Sequence, residues 1–133
     1  MKEVFADTHY FIALLSPADL AYPKARAATL QQAATLVTTA WVLTELASTL
    51  SKRRFRQHFL STLKRLRDNP AVVIIRPDEK LFELGVELFA ARTDKDWSLT
   101  DCISFVVMKR RGITEALTGD HHFEQAGFQA LLQ

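Results

Sequence analysis

The chain is poor in most of the features that announce a function. A single cysteine among 133 residues, Cys102, excludes an internal disulfide framework and points to a reducing compartment. Four glycines and four prolines, all placed singly, leave no linker or low-complexity segment, so one domain over 1–133 is expected. No apolar run approaches a membrane span. The N-terminal stretch MKEVFADTHYFIALL is broken by Asp7 and His9 and has no small-residue cleavage site after it, so the expected location is the cytoplasm. A surplus of one charge is also missing: 17 basic against 15 acidic residues give +2, which excludes a uniformly basic coat but leaves the local distribution open. No GxSxG, P-loop or GxGxxG occurs, and no HxxxH or HExxH, which removes the main support for serine-hydrolase, nucleotide-binding and zinc-hydrolase readings.

What remains is an alternation of short β-rich runs and longer helical patterns. Glu3 to Ala6, Leu36 to Thr38, Val72 to Ile75 and Ala116 to Thr118 are the expected strands, with Phe128 to Leu132 as an edge. Val72-Val73-Ile74-Ile75 has no polar alternation and is expected to be buried on both faces. Helices are expected from Ser16, where SPAD offers an N-cap, a first-turn Pro and an acidic N3 residue, through the Ala-rich stretch to Ala34. Further helices are expected from Ala40 to Leu50, from Phe55 to Leu66, from Asp78 to Arg92, and from Ser98 to Arg111 before Gly112. Strands joined through helices imply crossover connections. The expectation is a three-layer α/β/α sandwich with a mostly parallel central sheet.

Ligands of such sheets sit beyond the carboxyl ends of the strands, so the acids there matter. Asp7 follows the first strand directly, and Asp120 follows the Ala116 strand after Gly119. Either alone is an ordinary turn former or helix cap. Glu45 lies at the margin of an apolar helix face beside Trp41, Val42 and Leu46. Asp101 is placed for a capping box with Ser98, yet it opens a helix whose continuation ISFVVM is largely apolar. Four such acids in one pocket repel, by about 4 kcal/mol per pair at 4 Å and an effective dielectric near 20. Partial protonation or a divalent cation relieves that, and all-oxygen ligands favour Mg²⁺ or Mn²⁺.

The strings FADTHYFIALL, LTELAS, WSLTDCISFVVMKRRGI and ALTGDHHFEQAGF, in this order, resemble the PIN-domain family, and in particular the VapC-type ribonuclease toxins. The resemblance runs from Val4 to about Leu131. It implies a PIN-like α/β/α fold and one or two Mg²⁺ or Mn²⁺ ions. It also implies cleavage of single-stranded RNA to a 5′-phosphate and a 3′-hydroxyl. Asp7, Glu45, Asp101 and Asp120 match the family's catalytic acids. Asp7, Asp101 and Asp120 are expected to hold metal, and Glu45 to bind it through water or to orient the attacking water. Thr8 and Ser98 match polar positions that line the site. A small antitoxin protein and a homodimer are the implied partners, the Ala-rich stretch after Ser16 being a possible dimer surface. A stand-alone RNA-processing nuclease and a non-catalytic RNA- or protein-binding module are the alternatives.

From Lys52 to Arg67 the chain carries seven basic residues and no acid. Lys52, Arg53, Arg54 and Arg56 at its start are the candidate RNA-binding residues, a solvated helix face being the ordinary alternative. Lys109-Arg110-Arg111 before Gly112 is ordinary C-terminal capping. His9, His121 and His122 flank the acids and are expected at the rim or against substrate. Asp96 is expected in the loop before the Ser98 helix. Cys102, Trp41, Trp97 and the phenylalanines are expected in the core.

Overall fold

Five short parallel strands carry the architecture of the computed structural model, which describes residues 2–16, 18, 22–31 and 34–133. The elements in chain order are β1 (Glu3–Ala6), α1 (Thr8–Leu15), α2 (Tyr22–Gln31), β2 (Thr35–Thr39), α3 (Ala40–Thr49) and α4 (Arg56–Asp68). There follow β3 (Val72–Ile75), α5 (Glu79–Ala91), α6 (Leu99–Arg111), β4 (Glu115–Leu117), α7 (His121–Gln125) and β5 (Gln129–Ala130). The sheet order is β3-β2-β1-β4-β5, every pair parallel. The chain moves outward from β1 through β2 to β3, then returns to lay β4 and β5 on the other side. Right-handed crossovers therefore put α1 to α4 on one face and α5 to α7 on the other. The expected α/β/α sandwich is what forms.

The middle strands hold the core. Val4, Phe5, Ala6, Val37, Ala116 and Leu117 are buried, and Phe123, Ile103 and Met108 close over them from the α5–α7 side. Gly85 lets α5 and α6 approach: a Cβ there would stand 2.4 Å from Ile103 Cγ1. Helix starts follow their caps. Asp78 accepts from the N–H of Lys80 and Leu81, Thr39 from that of Val42, and Ser98 forms a capping box with Asp101. Gly112, at φ 68°, ends α6 in the left-handed conformation that the basic last turn anticipates.

Three expectations need correction. Val72–Ile75 is an edge strand and only half-buried, because β2 pairs with one side of it and, among the described residues, no strand pairs with the other. Its apolar run reflects the helices packed on it rather than a central place. The segment Thr8–Leu15, which shows no helical period, forms α1, and Ser16 is the C-cap of that helix rather than an N-cap. Pro17 and Asp19 lie outside the described residues, and the second helix spans Tyr22–Gln31, with Ala25 buried as the Ala-rich pattern implies. Phe82 and Phe89 are exposed on α5, unlike the buried Trp97 and Cys102. Among the described residues no helix is long and apolar enough to cross a membrane.

Candidate active site

Asp7 is the first residue beyond β1, and Thr118, Gly119 and Asp120 follow β4 in turn. β1 and β4 are neighbours at the point where the chain reverses direction across the sheet, so both acids emerge at the topological switch. Helix α3 brings Glu45 from one layer, and the first turn of α6 brings Asp101 from the other.

Asp7 is only 5% exposed. It stands at the N-cap position of α1, yet its side chain makes no capping bond. Instead the buried Thr118 hydroxyl donates to Asp7 Oδ2 at 3.0 Å and accepts from the Asp120 backbone N–H at 3.0 Å. Burial, and next the charge of Asp101, push Asp7 up to about 7; bonds from Thr118 and the Thr8 backbone oppose this, and Glu45 adds to it. No basic side chain is among the causes. Asp101, 8% exposed, is also raised, first by burial and then by Asp120, against the Ser98 backbone and His122. The four acids are thus linked electrostatically: Glu45 and Asp101 act on Asp7, and Asp120 acts on Asp101.

Asp101 and Asp120 also do structural work. The Ser98 N–H donates to Asp101 Oδ2 at 3.2 Å, and Ser98 Oγ accepts from the Asp101 N–H at 3.0 Å. Asp120 N-caps α7 by accepting from the His122 N–H at 2.9 Å. Of the polar residues expected to line the site, Ser98 thus has its hydroxyl in the cap. The Thr8 hydroxyl reaches the Val42 carbonyl at 3.5 Å, tying α1 to α3 one turn before Glu45. Asp96 is exposed in the loop before Trp97.

The histidines are more involved than a rim position suggests. His122 Nδ1 lies 3.1 Å from Asp101 Oδ2 and 3.4 Å from Asp120 Oδ1. His9 Nδ1 accepts from the Gly119 N–H at 3.1 Å, and a Cβ at 119 would stand 2.7 Å from the His9 ring, so a side chain there would push the exposed imidazole off this bond. Among the described residues, the three donors that gather within 4.8 Å of one another belong to Asp120, His121 and His122; the trio Asp7, Asp101 and Asp120 is spread more widely. Thr118, which links Asp7 to the Asp120 backbone, is the candidate-site residue that spacing did not single out; its signal is the Leu-Thr-Gly-Asp string that ends β4.

The basic segment divides in two. Lys52, Arg53 and Arg54 lie exposed in the turn between α3 and α4, with no ion-pair partner among the described residues, and Arg54 stacks on Phe55 at 4.8 Å. Arg56 donates to the Ser51 carbonyl at 2.7 Å, while Lys64 on α4 pairs with Asp68 at 2.6 Å. At the end of α6, Arg111 pairs with Glu3 at 2.7 Å, which fits the structural role expected of that basic run.

Comparison with known proteins places this geometry. The chain is similar to the 23S rRNA-specific endonuclease VapC20 of Mycobacterium tuberculosis, in strains CDC 1551 / Oshkosh and ATCC 25618 / H37Rv alike. The two are 27% identical over 125 residues, which is 94% of this chain and 95% of VapC20. The crystal structure of VapC20, described as a sarcin-ricin loop cleaving toxin, superposes with a TM-score of 0.86 at 25% identity, covering 94% of this chain and 95% of that one. FitAcB from Neisseria gonorrhoeae shares the fold with a TM-score of 0.68 at 17% identity, over 96% and 94% of the two chains. The PIN domain model matches residues 4–129, and this chain belongs to the PIN domain family.

Proposed function

We propose that this chain is a divalent-metal-dependent endoribonuclease of the VapC type, a single nuclease domain that cleaves single-stranded RNA. One observation carries the proposal: Asp7 is buried at the switch point, the charges that act on it are those of Asp101 and Glu45, and no basic side chain among the described residues counters them. Such an arrangement is costly for a fold and useful for holding a cation. The likeness to a protein named for cleaving 23S rRNA makes ribosomal RNA the first substrate to test.

The donor set fits a divalent cation, with Asp7 and Asp101 as its principal holders and Asp120 beside them. When bound, Mg²⁺ or Mn²⁺ supplies Lewis acidity toward the phosphodiester and an acidified water. The chain's own residues do the remainder. Glu45, half-buried on α3, orients the attacking water. Thr118 holds Asp7 and the Asp120 backbone in fixed relation. Thr8 and Ser98 keep α1 and the start of α6 in place, and Lys52, Arg53, Arg54 and Arg56 draw the RNA backbone toward the site.

A small antitoxin and a second copy of the chain are the proposed partners, in the cytoplasm. A protein surface is available on α4, where Phe59, Leu63 and Leu66 are only partly covered and Leu60 is 54% exposed. This is a better candidate than the Ala-rich stretch, whose Ala25 is already buried. Mass in solution, alone and with the product of a neighbouring short reading frame, tests both partners. For the activity, purified protein is incubated with ribosomal RNA and with an unstructured oligonucleotide. Cleavage with Mn²⁺ that a chelator abolishes supports the enzyme; binding without cleavage under every metal condition supports the non-catalytic alternative.

A further inference from the structure

The geometry points to a transition-metal site of mixed nitrogen and oxygen donors at the start of α7, formed by Asp120, His121 and His122, whose donor atoms lie within 4.8 Å of one another, with water as the fourth ligand. Zn²⁺ is the ion it fits best. Two spacings carry the inference. His122 Nδ1 is 3.4 Å and His121 Nδ1 is 3.6 Å from Asp120 Oδ1. Ligands at tetrahedral zinc distances stand about 3.3 Å apart, so these spacings need only small adjustment for the three residues to share one ion, with Asp101 beside His122 but outside the trio.

The donors are also presented correctly. Asp120 Oδ1 accepts the His122 N–H at 2.9 Å, which fixes that carboxylate, and an ionised oxygen retains a lone pair for a metal. The His121 and His122 rings lie 4.5 Å apart between centroids with their planes tilted by 53°, and both Nδ1 atoms approach the same carboxylate. Two imidazoles with one carboxylate suit zinc, cobalt or nickel far better than Mg²⁺, which prefers oxygen alone. Asp7 takes no part in this set. Zinc bound here withdraws Asp120 from the proposed nuclease centre, which makes the site inhibitory rather than catalytic.

The test uses the untagged full chain without RNA, so its outcome is independent of the nuclease proposal. Zn²⁺ binding is measured by competition with a chromophoric chelator, and Co²⁺ is added separately to read coordination from its visible spectrum. The expected result is one Zn²⁺ per chain and the intense absorption of four-coordinate cobalt. His121→Asn, at an exposed position that leaves the fold intact, and His122→Asn each weaken Zn²⁺ binding at least tenfold, a loss of the size seen for supporting groups of metal sites. Mn²⁺ binding changes less than threefold in the His121 variant, and His9→Gln and His58→Gln leave Zn²⁺ binding within threefold. Zinc affinity unchanged by both His121 and His122 substitutions overturns the proposal. So does loss of zinc binding in Asp7→Asn, because the ion would then occupy the acid cluster instead.

Discussion

Replacing Asp7 by asparagine in metal-free protein tests the electrostatics of the site without any assay of activity. Burial beside Asp101 raises the carboxyl from 3.8 to about 7, roughly three pKa units at 1.36 kcal/mol each, or up to about 4 kcal/mol. The folded state holds this proton more tightly than the unfolded chain does. The associated stability is therefore fully present below about pH 4, is lost as pH rises through about 7, and leaves an ionised buried acid above that. Asparagine keeps an acceptor for the Thr118 hydroxyl and cannot ionise. In chelator, the stability of Asp7→Asn relative to wild type should therefore grow by about 3–4 kcal/mol between pH 4 and pH 8. Urea denaturation followed by the fluorescence of buried Trp97 measures it at each pH. With Mn²⁺ at a hundred times its dissociation constant, wild type should regain about 2.7 kcal/mol that the variant does not. A stability difference that stays flat with pH in chelator would refute the account of Asp7 as an uncompensated buried acid.

Four further outcomes are expected. Asp101→Asn should retain the capping box through its amide oxygen and melt no lower than wild type without metal, whereas Asp101→Ala should lose about 1 kcal/mol in the same denaturation assay. Thr118→Val removes one bond from Asp7 and one from the Asp120 N–H, which should cost about 1–3 kcal/mol and lower any nuclease activity by altering kcat more than KM. Gly85→Ala forces a methyl against Ile103 and should destabilise by about 1–3 kcal/mol, read as a lower urea midpoint with an unchanged slope. Replacing Lys52, Arg53 and Arg54 together by glutamine should weaken single-stranded RNA binding and reduce the slope of log affinity against log salt by about 2.

Much of the fold is visible in local chemistry. The caps at Asp78 and Ser98, the glycine after the basic end of α6, and the apolar strand runs each mark an element that forms where they indicate. What escaped has a common cause. Helix α1 is hidden because Thr8–Leu15 is apolar on nearly every side, so no helical period shows. Helix α7 is a five-residue turn held by the Asp120 cap. The edge position of β3 depends on strand order, which no local pattern encodes. The same holds in the site: the acids stand out by position in a resemblance, but their coupling through Thr118 and the approach of His122 to Asp101 arise only when β1, β4, α6 and α7 are assembled. Residues such as Asp101, which cap a helix and face the acid cluster together, look purely structural until the third dimension is added.

The central claim is most directly tested by RNA cleavage with wild type and Asp7→Asn side by side, each shown to be folded, in Mn²⁺ and in chelator. The account predicts cleavage by wild type with Mn²⁺ only, and a loss of at least about a hundredfold in the variant, of the order found when a principal catalytic group is removed. Cleavage that persists in chelator, or an Asp7→Asn variant as active as wild type, would contradict it.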